Sequence, residues 1–215
     1  LDAGVTFFDT ADVYGNRGGS EEIIGRALAG RRDQVVLATK FGHDMGDEDR
    51  ARGGRPYLRK AIEASLRRLQ TDRIDLYQYH LPDGVTPVEE TLGALHELVQ
   101  EGKVRAIGSS NFTGAMVEEA HAIATERGLT PFASEQSEYS WLVRDAEEEL
   151  LPACERLGVG FIPYFPLASG LLTGKYRRGE PAPEGTRLHG RDLEEAKLAL
   201  HELRTLSGRI RGEHQ

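Results

Sequence analysis

Four side chains able to hold or move a proton stand where predicted strands end in this chain of 215 residues. Asp9 and Tyr14 lie in "FFDTADVYGN" (7 to 16), Lys40 closes "VVLATK" (35 to 40), and His80 closes "IDLYQYH" (74 to 80). A lysine ending so apolar a strand disfavours its own charge unless an anion is near, and Asp9 could supply that anion. A tyrosine meeting that cation gives up its proton more easily and becomes a usable donor near neutral pH. Each residue taken singly has a plainer reading. Lys40 snorkels to water, Asp9 opens a turn, Tyr14 covers apolar surface, and His80 packs with a hydrogen bond. Four of them at strand ends suggest a proton-transfer site.

The elements that must position them follow from hydrophobic periodicity. Apolar runs at 5 to 9, 35 to 40, 74 to 80, 104 to 110, 131 to 136 and 159 to 165 predict six strands. Between them "SEEIIGRALAG", "RPYLRKAIEASLRRLQ", "TPVEETLGALHELVQEG", "TGAMVEEAHAIATERG" and "DAEEELLPACERLG" predict helices, several opened by Ser, Thr or Asp and several closed by Gly. Such alternation implies parallel strands with right-handed crossovers, either a doubly wound sheet or a (βα)8 barrel. No Gly-x-Gly-x-x-Gly turn marks a dinucleotide fold. Instead polar residues end strand after strand, at Asp9, Lys40, His80, Ser110 with Asn111, and Gln136, as at the mouth of a barrel. The expected architecture is an α/β (βα)8 TIM barrel in one domain over 1 to 215. From 177 to 215 a Pro/Gly loop and one charged amphipathic helix are expected, with no further strand. Two of eight strands are unaccounted for, one expected before Leu1 and one in or after the tail.

Composition narrows the partners. A formal net charge of -8 argues against nucleic acid or an anionic membrane as the main partner. No apolar run reaches the roughly 18 residues that span a bilayer, and the single cysteine, Cys154, excludes a disulfide framework and a multi-Cys zinc site. A cytoplasmic protein is expected. The acidic run "HDMGDEDRARGG" (43 to 54) reads as a solvated loop, so no metal is expected. "GLLTGKY" is one residue short of a phosphate-binding P-loop and has Tyr176 where Ser or Thr would ligate magnesium.

At larger scale the sequence resembles the aldo-keto reductase family. "FFDTADVYGN" with "GGSEEIIGRAL", "VLATKFG", "LRRLQTDRIDLYQYHLPD", "LVQEGKVRAIGSSNF" and "FIPYFPLASGLLTGKY" are similar to its signatures in order and spacing, over roughly 1 to 190. The resemblance implies a barrel that reduces aldehydes and ketones with NADPH. Its catalytic tetrad falls on Asp9, Tyr14, Lys40 and His80, with Tyr14 as general acid, His80 orienting the carbonyl oxygen, and the Lys40 and Asp9 pair tuning Tyr14. Cofactor positions fall on Asp9, on Ser110, Asn111 and Gln136 at the carboxamide, and on Tyr164 at the nicotinamide ring. Phe165, Pro166, Leu167 and Ala168 fall in the loop over the pyrophosphate, with Lys175 at the phosphate. Phe165 stands where relatives often carry Ser, and no segment reading the 2'-phosphate is recognisable, so NADH stays open beside NADPH. The partner implied is a small carbonyl compound; the oligomeric state is not legible. Tyr139, Trp141 and Leu142 either wall a substrate pocket or form aromatic core.

Two other functions compete. A redox-poor relative could bind the cofactor as a regulatory subunit, and a Schiff-base aldolase would use Lys40 as nucleophile.

Overall fold

The computed structural model describes residues 1–177 and 180–190. Among these described residues six strands alternate with five α-helices: β1 (Phe7–Asp9), α1 (Tyr14–Ala27), β2 (Val36–Phe41), α2 (Arg55–Leu69), β3 (Ile74–Tyr79), α3 (Val88–Gln100), β4 (Val104–Ser110), α4 (Gly114–Arg127), β5 (Ser134–Glu138), α5 (Leu150–Leu157) and β6 (Gly160–Tyr164). The strands lie side by side in sequence order as one six-stranded sheet, and the pairs from β1 to β5 are parallel. A helix links each strand to the next, which is the repeating unit of a (βα)8 barrel.

The core explains why β3 lacks alternation. All six of its residues are buried, so both faces must suit packed surroundings. Phe41 stacks on Tyr77 and Tyr79 with ring centroids 4.8 and 5.2 Å apart. Leu58 and Ile62 of α2, Leu92, Leu95 and Leu98 of α3, and Ile107 of β4 are fully buried. Each such side chain contributes about 1.5–3 kcal/mol when removed from water.

Several boundaries differ from the sequence expectation. The fifth strand is expected at 131 to 136 but pairs over Ser134–Glu138, because Pro131 has no N–H to give to a ladder. The helix expected across "DAEEELLPACERLG" splits into a 3-10 turn (Asp145–Glu147) and α5, ended by left-handed Gly158. Among the described residues, α4 alone of these helices has a side-chain cap, Thr113 accepting from the Met116 N–H at 3.2 Å. Ser20, expected to open α1, lies inside it and bonds Thr10 Oγ1 at 2.8 Å. The helix expected in the tail lies outside the described residues; 180–190 form turns such as Thr186 N–H to Pro183 O at 3.2 Å.

The chain falls into two compact units. One takes Leu1–Gln136 with Glu149–Ile162, the other Ser137–Glu148 with the residues from Pro163 on.

Candidate active site

In the first unit, strand register dictates which polar side chains meet. Asp9 pairs with Ala38, and Lys40, two residues further along β2, shares Ala38's face. Lys40 is directly opposite Gln78 on β3. The consequence is a shared carboxylate: Lys40 Nζ donates to Asp9 Oδ2 at 2.5 Å and Gln78 Nε2 donates to Asp9 Oδ1 at 3.0 Å. Lys40 Nζ also donates to the Thr10 carbonyl at 2.9 Å. At 0% exposure the ammonium has no water to satisfy it, so these acceptors are what keep a charge there. Burial lowers the Lys40 pKa from the ordinary lysine range, and Asp9 opposes that shift.

Tyr14 reaches the same place by a different device. Gly15, Asn16 and Arg17, immediately after it, take positive φ of 68, 62 and 65°, so α1 becomes regular only past Gly18. A Cβ on Gly15 would lie 2.5 Å from the Ser20 backbone nitrogen, so this tight left-handed turn requires glycine. It leaves Tyr14 42% exposed with Lys40 Nζ 5.2 Å from its ring centroid. The His80 ring meets Tyr14 edge-on, centroids 5.7 Å apart.

His80 follows β3, its N–H bonded to the Phe41 carbonyl at 2.8 Å. Burial, then the Lys40 cation and His43, push its pKa down to about 3, so it is a neutral imidazole at ordinary pH. Its Nδ1 is buried with no partner among the described residues. The imidazole thus keeps an unpaired polar atom on a ring that packs against Tyr14 and feels the Lys40 cation.

Three further expected residues join this rim. Asn111 Nδ2 donates to the His80 carbonyl at 2.9 Å and to Ser110 Oγ at 3.1 Å, and its backbone N–H donates to the Gln136 carbonyl at 3.0 Å. Asn111 sits at φ 61°, a left-handed conformation that Asn tolerates better than most residues. Gln136 Nε2 reaches Gln78 Oε1 at 3.5 Å.

The other expected positions belong to the second unit. Tyr164 ends β6 and packs edge-on against Phe165 at 5.2 Å, and its carbonyl accepts from the Tyr139 N–H at 3.3 Å. Phe165, Ala168 and Ser169 have positive φ (52, 46 and 56°), so the loop through Pro166 and Leu167 is tightly coiled. Lys175 packs on Gly170, where a Cβ would come within 2.6 Å of its Cε. Trp141 is 67% exposed, which removes the core alternative for that residue; with Tyr139, Ser140, Arg144, Pro163 and Pro166 it lines a cavity of about 350 Å³.

The fold, the rim and the sequence signatures converge with the comparisons. The Aldo/keto reductase family profile matches residues 1–211. The chain belongs to the aldo/keto reductase family. It is 46% identical over 186 residues to the "Uncharacterized oxidoreductase YrpG" of Bacillus subtilis (strain 168), covering 81% of this chain and 57% of that protein. It is 44% identical over 175 residues to the "Probable aldo-keto reductase 1" of Glycine max, covering 80% of this chain and 49% of the relative. The chain thus spans about half the length of the curated relatives it matches.

In this aldo/keto reductase chain, sequence reasoning missed Gln78, Thr10 and Asp12. Gln78 was findable, since it sits two before His80 in a strand otherwise aromatic and apolar, a period-two signal. Asp12 stood between two noticed residues; only its burial, 2% exposed, sets it apart. Among the described residues no group of three His, Cys, Asp or Glu could hold a metal ion, and no helix is long and apolar enough to cross a membrane.

Proposed function

We propose that the chain carries the catalytic part of an NADPH-dependent carbonyl reductase, a cytoplasmic (βα)8 barrel enzyme that converts an aldehyde or ketone to an alcohol. The observation that supports it is the fully buried Lys40 ammonium, fixed on Asp9 at 2.5 Å and facing Tyr14, whose ring meets a neutral His80. Neutral His80 donates a hydrogen bond to the carbonyl oxygen without taking its proton. Tyr14 gives its proton to that oxygen as the carbonyl π electrons move onto it. The phenolate left behind is stabilised by the Lys40 cation, and Asp9 keeps that cation charged in a dry site. Bound NADPH supplies the hydride that reaches the carbonyl carbon.

The donor set suits such a group. Ser110, Asn111 and Gln136 offer the amides and hydroxyl that a carboxamide needs, and Asn111 is tied to the His80 backbone carbonyl. Tyr164 would take the nicotinamide ring, Phe165, Pro166, Leu167 and Ala168 the pyrophosphate, and Lys175 a phosphate. The proposed partner is a small carbonyl compound. The Schiff-base reading is disfavoured because Lys40 Nζ is already committed to Asp9 and Thr10.

Deuterated NADPH with para-nitrobenzaldehyde tests the reading. Deuterium is expected on the alcohol carbon, detected by mass spectrometry of the product. An unlabelled alcohol, or substrate trapped on Lys40 by borohydride, would overturn it.

A further inference from the structure

We propose that Asp12 is a positioning residue that keeps the turn carrying Tyr14 fixed against Lys40 only while its buried carboxyl group is protonated. The effect on turnover rests on the reductase reading above; the titration itself does not.

The turn is anchored on Lys40. The Asp12 N–H donates to the Lys40 backbone carbonyl at 3.1 Å, and the Tyr14 N–H donates to the Ala11 carbonyl at 3.1 Å. Moving Asp12 therefore moves Tyr14 relative to the ammonium. Asp12 is 2% exposed and its Oδ1 is buried with no partner among the described residues. The carboxylate has the Val13 N–H as a donor but none at Oδ1, so its charge is poorly compensated, whereas a protonated carboxyl costs far less to bury. Arg68 of α2, the cation that acts most strongly on it, is already engaged: it gives Nε (2.7 Å) and Nη2 (2.6 Å) to Glu21 of α1, which also accepts from Thr39 Oγ1 at 2.7 Å.

Asp12 also lines a cavity of about 250 Å³ with Asp47, Tyr57, Lys60 and Arg68. The groups that act on it are Glu21 from α1, Arg68 and Tyr57 from α2, Lys40 from β2 and Tyr77 from β3, while Lys60 from α2 and Asp47 from the 42 to 54 loop face the same cavity. Burial first and Glu21 second raise the Asp12 pKa to about 7, against the pull of Arg68, the Val13 N–H and Lys40. Ionisation sets a second buried negative charge against Glu21, a repulsion relieved by displacing the turn. It also places a negative field on Lys40 that weakens the cation's hold on a Tyr14 phenolate. Both effects make Tyr14 a poorer proton donor.

The experiment follows the carboxyl carbons of labelled aspartates and the ring carbon of labelled tyrosine by NMR in the 215-residue chain. One aspartate is expected to titrate near pH 7, with the Tyr14 resonance moving at the same midpoint, and Asp12→Asn should abolish both. In turnover, kcat of the wild type is expected to fall as pH rises through about 7, and Asp12→Asn to hold its plateau about a unit higher with the cofactor KM unchanged. No aspartate titrating above about pH 5.5, or an unmoved Tyr14 resonance, would overturn the proposal. If Asp12→Asn does not fold, the wild-type titration alone decides. If the wild type reduces no carbonyl compound, the reductase reading fails while the NMR result still stands or falls by itself.

Discussion

Lys40 illustrates how a costly residue is kept. A lysine at 0% exposure survives as a cation only because Asp9 and the Thr10 carbonyl replace its water. Breaking such a pair costs about 3–5 kcal/mol when both partners are buried. The Asp9 side chain retains 28% exposure, so Lys40→Met is expected near or below the lower end of that range, read as a drop in denaturant midpoint. A midpoint equal to wild type would show that the pair is not buried as described. The four residues themselves were legible because strand-end polarity is visible in a string of letters. What Asp9 accepts from, and which histidine nitrogen lacks a partner, were not, because both depend on register between strands far apart in sequence.

Elements hold the residues through close backbone approach, and two glycines show where it is tightest. A Cβ on Gly25 of α1 would fall 2.5 Å from the Arg68 carbonyl oxygen at the end of α2. Gly→Ala in a helix otherwise adds up to about 1 kcal/mol of stability. Here Gly25→Ala is expected to lower the melting temperature, since helix α1 must move off α2; a rise would contradict that packing. Gly108 of β4 faces Gln78 in register, and a Cβ there would lie 2.6 Å from Ser134 Oγ and 3.1 Å from Gln78 Cγ. Gly108→Ala should therefore weaken the Gln78 hold on Asp9 and lower kcat more than Gly25→Ala does. All six strands and the order of the helices were legible from periodicity and helix-ending glycines. The start of α1 was not: left-handed residues after Tyr14 break a pattern that reads simply as a turn. Nor was the split before α5, where a run of acids reads as one helix.

Across the first unit, two buried titrations oppose each other. His80, with its pKa down near 3, refuses a proton that an unfolded histidine takes at about 6.5, so its contribution to stability is lost as pH falls through that window. Asp12, with its pKa raised to about 7, keeps a proton that the unfolded chain releases near 4, so its contribution falls as pH rises to about 7. Each slope is at most about 1.4 kcal/mol per pH unit, and between pH about 4 and 6.5 they nearly cancel. Melting curves of the variants should separate them: between these limits Asp12→Asn is expected to gain stability with rising pH and His80→Gln to lose it. Slopes of the same sign in both variants would refute the assignment. The account's central claim is that Tyr14 delivers the proton that completes carbonyl reduction. Its most direct test is the loss of NADPH absorbance with para-nitrobenzaldehyde, comparing wild type with Tyr14→Phe at matched cofactor occupancy. The account predicts a fall in kcat of about 10²–10⁴-fold with folding intact, and equal turnover in the two proteins would contradict it.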